Sequence, residues 1–219
     1  MIQWSYSALK KYVTCPRQYN EIKVLKNFTE PDTHHTIYGK EIHSAFEEYI
    51  KHGTPLLKNY QRYEKLLLTL LQIPGEHYTE HKMALTVDKI PCEFGSENYW
   101  VRGIGDLIID DGELGFVFDY KTGNPRYADP KQLKLMALMM FEHFPELARV
   151  KAGLLFTSHN GFVPEEYHRE DIEELWDHFT PDLFRLEHSF TTGHWPPNPN
   201  GLCSRYCAVR SCQYNGINE

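Results

Sequence analysis

Three β-rich runs between about residue 79 and Gly123 constrain the fold of this chain more than any other feature of its sequence. They are EHKMALTV, NYWVRGIGDLIIDDG and LGFVFDYKTG, and turn residues such as Asp111 and Gly112 separate them. Short apolar runs bounded by such residues are typical of strands joined by tight turns. The middle of the chain is therefore predicted to form a β-meander or hairpin.

Helical patterns lie before and after these runs. The first predicted helix begins at Ser5 or Ser7 and ends near Cys15, and a second helix ends at Gly53. YQRYEKLLLTLLQI predicts a third helix, and PKQLKLMALMMFEHF predicts another one after the strands. VKAGLLFTSH then predicts a buried strand, and REDIEELWDHFTPDLFRLEHSF an acidic helix interrupted near Pro181. This order predicts an α/β or α+β fold in which helices flank a mixed central sheet.

The length and composition of the chain are those of one folded domain. Its 219 residues are 41% hydrophobic and 14% aromatic, which is enough for a sizeable core. We predict a single domain over residues 1–219, with a helical part at 1–78, a core at 79–190 and a cysteine-rich tail at 191–219 packed on the N-terminal helix. The apolar runs are much shorter than the roughly 20 residues that cross a bilayer. We expect a soluble, cytoplasmic protein with no membrane partner, or one in the host cytoplasm if its source is a virus.

The charge is unevenly distributed along the chain. The net charge is −7, but residues 1–63 carry 9 basic against 6 acidic side chains and residues 64–219 carry 14 against 24. An acidic protein disfavours a polyanionic partner. Nucleic-acid binding stays compatible with this charge if metal ions neutralise some acids and the basic groups gather along one groove.

Two aspartates and a lysine are the strongest candidates for chemistry. Asp106 is expected to end one apolar segment and Asp119 the next, so that on neighbouring strands their carboxylates would converge. Carboxylate oxygens are the preferred ligands of Mg²⁺ or Mn²⁺. Lys121 shares the strand face of Asp119 and could act on the attacking water or on the phosphate charge. The alternative is a solvated Asp-x-Lys pair on an exposed strand.

These motifs resemble the core of the PD-(D/E)XK nuclease superfamily, in particular its RecB-like exonuclease branch. The resemblance rests on GIGDLIID, FDYKTG and PKQLKLMALMM, which match Gly-x-x-Asp, Asp-Tyr-Lys-Thr-Gly and a helix with Gln-x-x-x-Tyr. It implies a restriction-endonuclease-like core and assigns metal or catalytic roles to Asp106, Asp119, Tyr120, Lys121 and Gln132. The tyrosine of the last motif is replaced by Met136, which is a departure from the family pattern.

The resemblance adds two further metal ligands. His43 lies in GKEIH, which matches the upstream Gly-x-x-x-His context of the branch, although a lone helical histidine is more often structural. Glu80 opens the first β-rich run and matches the acid of the strand before the metal strands. As plain sequence, Glu80 would be a surface residue.

The cysteines indicate a second metal site. Cys203, Cys207 and Cys212 lie within ten residues of one another in a chain that is expected to be intracellular, which favours metal ligation over disulfides. A fourth thiolate would come from Cys15, which precedes a proline at a helix end, or from Cys92, which is expected to be a small buried apolar group. We favour Cys15. A 4Fe-4S cluster and a Zn²⁺ ion both suit four thiolates, and three unligated reduced cysteines are the remaining alternative.

The cysteine arrangement also resembles a family. Iron–sulfur exonucleases of the same branch, including AddB-type subunits and a CRISPR-associated group, have one N-terminal Cys-Pro and three C-terminal cysteines. Their usual tail is Cys-x2-Cys-x5-Cys, whereas this chain has Cys-x3-Cys-x4-Cys with the same outer separation. The resemblance implies a 4Fe-4S cluster that joins the N-terminal helix to the tail.

The leading hypothesis is a Mg²⁺- or Mn²⁺-dependent DNA nuclease, an exonuclease acting on DNA ends or single strands. A non-catalytic nucleic-acid-binding subunit and a zinc module that docks a partner are the alternatives. The sequence contains no Gly-x4-Gly-Lys-Ser/Thr motif, so any unwinding is expected to come from a helicase or recombination partner.

Overall fold

A mixed β-sheet forms the centre of the chain. The structure is a computed structural model that describes residues 2–159 and 161–216, and in this part five strands form one sheet. The strands lie in chain order: β1 Glu76–Leu85, β2 Val101–Asp111, β3 Leu114–Lys121, β4 Arg149–Phe156 and β5 Gly161–His168. β3 and β4 run parallel, and the other neighbours run antiparallel. The predicted mixed sheet is confirmed.

The helices begin and end close to the predicted signals. They are α1 Tyr6–Thr14, α2 Pro16–Tyr19, α3 His34–His52, α4 Glu64–Leu71, α5 Lys131–His143, α6 Ile172–Asp177 and α7 Thr180–Thr192, with a π-helical turn at Asn20–Val24. Ser5 caps α1, and Gly53 ends α3 in the left-handed conformation with φ 66°. The predicted acidic helix is divided at residues 178–179, and Pro181 lies in the first turn of α7, where a proline is tolerated.

The apolar patterns of the sequence do not predict strand β5. Its sequence, GFVPEEYH, contains Pro164 and two glutamates, and every second residue is exposed. A proline cannot donate to a strand ladder, so it is confined to edge strands, and β5 is an edge strand of this sheet. The strand prediction failed because an edge strand lacks the apolar pattern of a buried one.

Helix α5 covers one face of the sheet. It connects β3 to the parallel β4, as a parallel pair requires, and it contacts β1, β2, β3 and β4. Its side chains are buried on almost all sides, from Leu133 to Phe141, which explains the nearly continuous apolar sequence. Gln132, in its first turn, is thereby held close to the end of β3.

Helices α3 and α4 cover the other face. The buried residues of this core are Ile42, Phe46, Leu56, Tyr60, Tyr63, Leu67, Leu70, Leu107, Ile109, Phe118, Tyr120 and Leu155. Because Ile42 and Phe46 are fully buried in α3, the helix is fixed against the sheet. His43, next to Ile42, is therefore carried to a defined position.

The chain divides into two compact units. The central unit is Thr33–Trp176 and contains the whole described sheet; the terminal unit combines 1–32 with 177–219. In the terminal unit the Tyr12 hydroxyl lies 2.7 Å from the Arg185 carbonyl oxygen and 2.9 Å from Ser189 Oγ of α7. The predicted single domain over 1–219 stays a prediction. Among the described residues, no helix combines the length and the apolarity needed to cross a bilayer.

Candidate metal centre

Strands β2 and β3 separate beside the two predicted acids. Their paired residues extend from the turn as far as Leu107 and Phe118, whereas β3 continues to Lys121. Beyond that pair, the Tyr120 N–H donates a 2.7 Å hydrogen bond to Asp106 Oδ2. A side-chain carboxylate thus takes the place of a backbone carbonyl in the gap between the strands.

The position of Asp106 corrects one expectation. Asp106 lies inside β2 and not at the end of its apolar segment, because the buried residues Leu107, Ile108 and Ile109 follow it. Since β3 runs antiparallel to β2, the far end of β3 faces the middle of β2. Asp119 therefore still comes close to Asp106, and the prediction that the two segments are neighbouring strands is confirmed.

Three predicted ligands converge on one point in the central unit. His43, Glu80 and Asp106 each offer a ligand atom within 4.8 Å of the other two, and no other such group of three occurs among the described residues. His43 Nδ1 lies 3.2 Å from Asp106 Oδ1 and 3.8 Å from Glu80 Oε1. The other ring nitrogen, Nε2, lies 2.8 Å from the Tyr120 carbonyl oxygen. Tyr120 thus contributes its backbone N–H and carbonyl to the site.

The electrostatics of this group favour a cation. Burial by itself would lower the pKa of His43, but the hydrogen bonds with Asp106 and Glu80 and the charge of Asp106 outweigh it and raise the pKa to about 10. An imidazolium at His43 therefore lies between two carboxylates. A divalent ion bound by these residues would replace that proton.

Glu80 has a strained backbone. It lies in the middle of β1, not at the start of a strand as expected, and its φ is +47°. The left-handed region costs a residue with a side chain roughly 1–2 kcal/mol, and such strain is often found at functional sites. The carboxylate of this strained residue is the one that lies 3.8 Å from His43 Nδ1.

Replacing Glu80 should separate metal binding from stability. Asparagine tolerates φ above zero better than alanine, so Glu80→Asn should melt above Glu80→Ala by about 2–4 °C, which is roughly 1 kcal/mol in a chain of this size. Both variants should bind Mn²⁺ more weakly, because both lack the carboxylate. Thermal unfolding in EDTA and calorimetric Mn²⁺ titration provide the two measurements. Equal melting temperatures would contradict the strain, and unchanged Mn²⁺ affinity would contradict the ligand.

Asp119, Lys121 and Gln132 form a closed polar triangle next to this group. Lys121 Nζ lies 2.6 Å from Asp119 Oδ2 and donates to Gln132 Oε1 at 2.9 Å. Gln132 Nε2 donates to Asp119 Oδ1 at 2.5 Å. Asp119 is buried, with 6% of its surface exposed. Its Oδ1 accepts the Gln132 hydrogen bond, whereas Oδ2 has the ion pair with Lys121 as its one contact in the triangle and no well-aligned hydrogen bond. Asp119 is therefore close to the three-ligand group without being one of its members.

Opposing effects act on the Asp119 carboxyl group. Burial and the neighbouring charge of Asp106 raise its pKa to about 6, although Lys121 and His43 act in the opposite direction. The positive charge of Lys121 thus stabilises the ionised form of Asp119, which burial by itself would disfavour. The pairing supports the expectation that the acid and the lysine act together, and it argues against a solvated pair on an exposed strand.

Met136 stands where the resembling family has a tyrosine. It is buried one turn after Gln132, and it packs over Gly103 of β2, where an added Cβ would lie 2.3 Å from Met136 Cε. In this chain the position contributes to the packing of α5 on the sheet.

The four favoured cysteines line one cavity in the terminal unit. Cys15 lies between α1 and α2, and it borders the same cavity as Cys203, Cys207 and Cys212. The N–H of Asn198 donates to Cys15 Sγ at 3.4 Å, and the N–H of Asn200 donates to Cys203 Sγ at 3.5 Å. Burial raises the pKa of the Cys207 thiol, and Cys203 and Cys15 add to this effect. Cys92 lies in the loop between β1 and β2 and does not line this cavity.

Comparison with family models and with solved structures identifies the superfamily of this chain. The model of the PD-(D/E)XK nuclease superfamily matches residues 64–213. Among solved structures, a protein from Eubacterium rectale provisionally named an exonuclease has a TM-score of 0.56 and 13% identity, with 99% of this chain and 89% of that chain covered. The crystal structure of SSO0001 has a TM-score of 0.49 and 14% identity, with 97% and 87% covered. A search of curated proteins finds no match. Because the family match covers more than half of the sequence, the chain belongs to the PD-(D/E)XK nuclease superfamily.

Proposed function

We propose that this protein is a divalent-metal-dependent deoxyribonuclease, an exonuclease that hydrolyses phosphodiester bonds at DNA ends or in single strands. The observation that carries the proposal is the convergence of His43, Glu80 and Asp106 beside the buried pair of Asp119 and Lys121. Membership of a nuclease superfamily supports the reaction type. The choice of DNA, and a role in replication, recombination or repair, come from the sequence resemblance.

The donor atoms of the site suit Mg²⁺ or Mn²⁺. Carboxylate oxygens of Glu80 and Asp106 are hard ligands, and an imidazole nitrogen from His43 is compatible with Mn²⁺. About a third of the side-chain surface of His43 and Glu80 is exposed (29% and 33%), so water and phosphate can reach the group. When bound, such an ion polarises the phosphate and lowers the pKa of a bound water.

The protein residues supply the remaining functions. Asp106 is oriented by the Tyr120 N–H, and Tyr120 also holds His43 through its carbonyl oxygen. The Lys121 ammonium group is fixed by Asp119 and Gln132, which leaves one of its three donors for the attacking water or for a phosphate oxygen. In this position Lys121 can stabilise the negative charge that develops on the phosphate.

Gln132 acts as a positioning residue, because it contacts both Asp119 and Lys121. Gln132→Ala should lower kcat by roughly 10–100-fold, the range for residues that orient the groups around a bound metal, with little change in Mn²⁺ affinity. Lys134→Ala, two residues along the same helix, is the matched control and should retain full activity. A Gln132→Ala enzyme with unchanged kcat would remove Gln132 from the mechanism.

We infer further that Cys15, Cys203, Cys207 and Cys212 hold a 4Fe-4S cluster. Thiolates around one tetrahedral Zn²⁺, at 2.3 Å from the metal, lie about 3.8 Å apart. Among the described residues no three cysteine sulfurs lie within 4.8 Å of one another, which favours the larger iron–sulfur cluster over a single ion. The N–H groups directed at Cys15 and Cys203 are also typical of cluster ligands. The role we assign to the cluster is structural.

One assay tests the proposed activity. End-labelled single- and double-stranded DNA and a closed circular single strand are incubated with Mg²⁺ or Mn²⁺ and with either the wild type or Lys121→Ala. An exonuclease shortens the linear substrates, leaves the circle intact and loses most of its turnover in the variant. Cleavage of the circle would replace the exonuclease by an endonuclease. DNA binding without any cleavage would favour the non-catalytic subunit, for which a helicase or recombination protein would be the natural partner.

A further inference from the structure

Two cations and two aromatic rings form a patch on β1, β2 and the loop that joins them. The guanidinium carbon of Arg102 lies 5.0 Å from the ring centre of Phe94 and 4.6 Å from that of Tyr99. Lys82 Nζ lies 5.7 Å from the ring centre of Phe94. These four residues, here the cation–aromatic patch, all belong to the central unit.

The patch lies on the strands that carry two of the proposed metal ligands. Lys82 follows Glu80 by two residues in β1, and Arg102 precedes Asp106 by four residues in β2. Two residues of strand span roughly 7 Å, so the patch begins close to the metal centre. The register pairs Lys82 with Ile104, and both side chains are exposed.

The opposite face of these strands is already covered. Met83, between Lys82 and Ala84, is fully buried, and Gly103, next to Arg102, contacts Met136 of α5. Because neighbouring residues of a strand point to opposite faces, Lys82 and Arg102 lie on the face away from α5, which α3 and α4 cover over the core of the sheet. That face is open to solvent at Lys82, whereas Arg102, Phe94 and Tyr99 are half-buried.

The two cations of the patch have no acidic partner. Within the described part of the chain no carboxylate lies within 4.0 Å of Lys82 or Arg102, although the protein has a net charge of −7. The joining loop also carries the acidic residues Glu93 and Glu97. The rings restrict the guanidinium group of Arg102 while its N–H groups stay available as donors. Unpaired cations held in this way suit an anionic ligand.

We propose that the cation–aromatic patch binds a single nucleic-acid strand next to the phosphodiester bond that is cut. This inference rests on the proposed nuclease function and adds the location of the substrate strand. Arg102 and Lys82 contact phosphate oxygens of the strand, with the planar donors of arginine matched to phosphate geometry. Tyr99, whose ring is contacted by Arg102 on one side, offers its other face to an unstacked base, which a duplex does not present.

Binding is measured without catalysis. Fluorescently labelled oligothymidine is titrated in EDTA with the wild type, with the double variant Lys82→Gln, Arg102→Gln, and with Lys151→Gln, a control at an exposed lysine of β4. We expect at least tenfold weaker binding in the double variant and none of this loss in the control. The slope of log Kd against log salt should fall by about 1.4, since each phosphate contact to a single strand contributes roughly 0.7. Equal affinity and equal slope would overturn the proposal.

Lys82→Gln alone guards against misfolding. Lys82 is exposed, so this variant should keep the wild-type melting temperature. Its slope of log Kd against log salt should fall by about half as much as the slope of the double variant. A Lys82→Gln protein with the wild-type slope would remove Lys82 from the strand path and overturn the proposal as stated.

Assays with a small and a strand-like substrate distinguish a failure of the patch proposal from a failure of the proposed nuclease function. Bis(p-nitrophenyl) phosphate has a single phosphate and no strand that could run along the patch, so its hydrolysis should be the same in the wild type and in the double variant. The KM for oligothymidine should rise at least tenfold with little change in kcat. If the wild type hydrolyses neither substrate, the nuclease function fails, and the binding titration in EDTA still decides on the patch. If both proteins cleave oligothymidine with the same KM, the nuclease function stands and the patch proposal fails.

Discussion

Asp106→Asn should abolish DNA cleavage and leave the protein folded. The carboxylate of Asp106 contacts His43 at 3.2 Å, accepts the Tyr120 N–H at 2.7 Å and adds its charge to the field at Asp119. An amide of the same shape would remove the negative charge that binds the metal. The loss in kcat should exceed the roughly 10–100-fold cost of changing a residue that only orients the ligands of a metal. End-labelled DNA with Mn²⁺ measures the turnover, and calorimetry should show weaker Mn²⁺ binding.

Asp110→Asn is the matched control for this experiment. Asp110 lies four residues further along the same strand, and its carboxylate accepts the N–H of Gly112 at the hairpin turn. The control should retain wild-type turnover and Mn²⁺ affinity, because Asp110 is not in the three-ligand group. Undiminished cleavage in Asp106→Asn, or an equal loss in Asp110→Asn, would refute the assignment of Asp106.

The arrangement of the strands was predictable because it depends on buried residues. The apolar runs on either side of the turn at Gly112 form adjacent antiparallel strands, and α5 follows them as expected. Local patterns of apolar residues and turn residues decide such features. The exposed edge strand β5 has no comparable pattern, and Pro164 even argues against a strand interior.

The division of the site into two parts was not predictable. Sequence reasoning placed Asp106 and Asp119 on one ion, and this shared ion stays a prediction. In the structure Asp119 contacts Lys121 and Gln132, and the three-ligand group forms around His43. Which way a carboxylate points depends on where two strands separate, and this is decided by packing between distant elements. The left-handed backbone of Glu80 likewise has no signal in the sequence, since glutamate is not favoured there.

The cation–aromatic patch shows a different limitation. Lys82, Phe94, Tyr99 and Arg102 match no family motif, and separated lysines and aromatic residues usually indicate an ordinary surface. Only the register of β1 with β2, which pairs Lys82 with Ile104 and Ala84 with Arg102, brings them together next to Glu80. A search for basic residues two positions from each acid on paired strands could have found Lys82.

The second large effect is expected from Cys15→Ser. This change removes one of four proposed thiolate ligands, and it does so at the junction of α1 and α2. The other three ligands lie near the C-terminal end of the chain, so the cluster closes a loop that extends from residue 15 to residue 203. A tie across so long a loop contributes several kcal/mol in the chain-entropy view, and binding free energy of this kind is folding free energy. The variant should therefore lose its metal and unfold at a much lower temperature.

Cys92→Ser is the control, because Cys92 lies in a loop of the central unit and does not line the cysteine cavity. Protein purified without oxygen should be brown in the wild type and in the control, with broad absorption near roughly 400 nm, and colourless in Cys15→Ser. Asn198 and Asn200 donate hydrogen bonds to the Thr14 carbonyl oxygen at 3.0 and 3.3 Å, and Cys15→Ser keeps these contacts. If Cys15 contributed only to packing and bound no metal, the melting temperature would therefore stay nearly unchanged. Metal analysis then decides between the alternatives. One zinc ion in a colourless wild-type protein would show that Zn²⁺ and not an iron–sulfur cluster is bound by the four cysteines. Full iron content in Cys15→Ser would show that Cys15 is not a ligand, and it would refute the proposed ligand set.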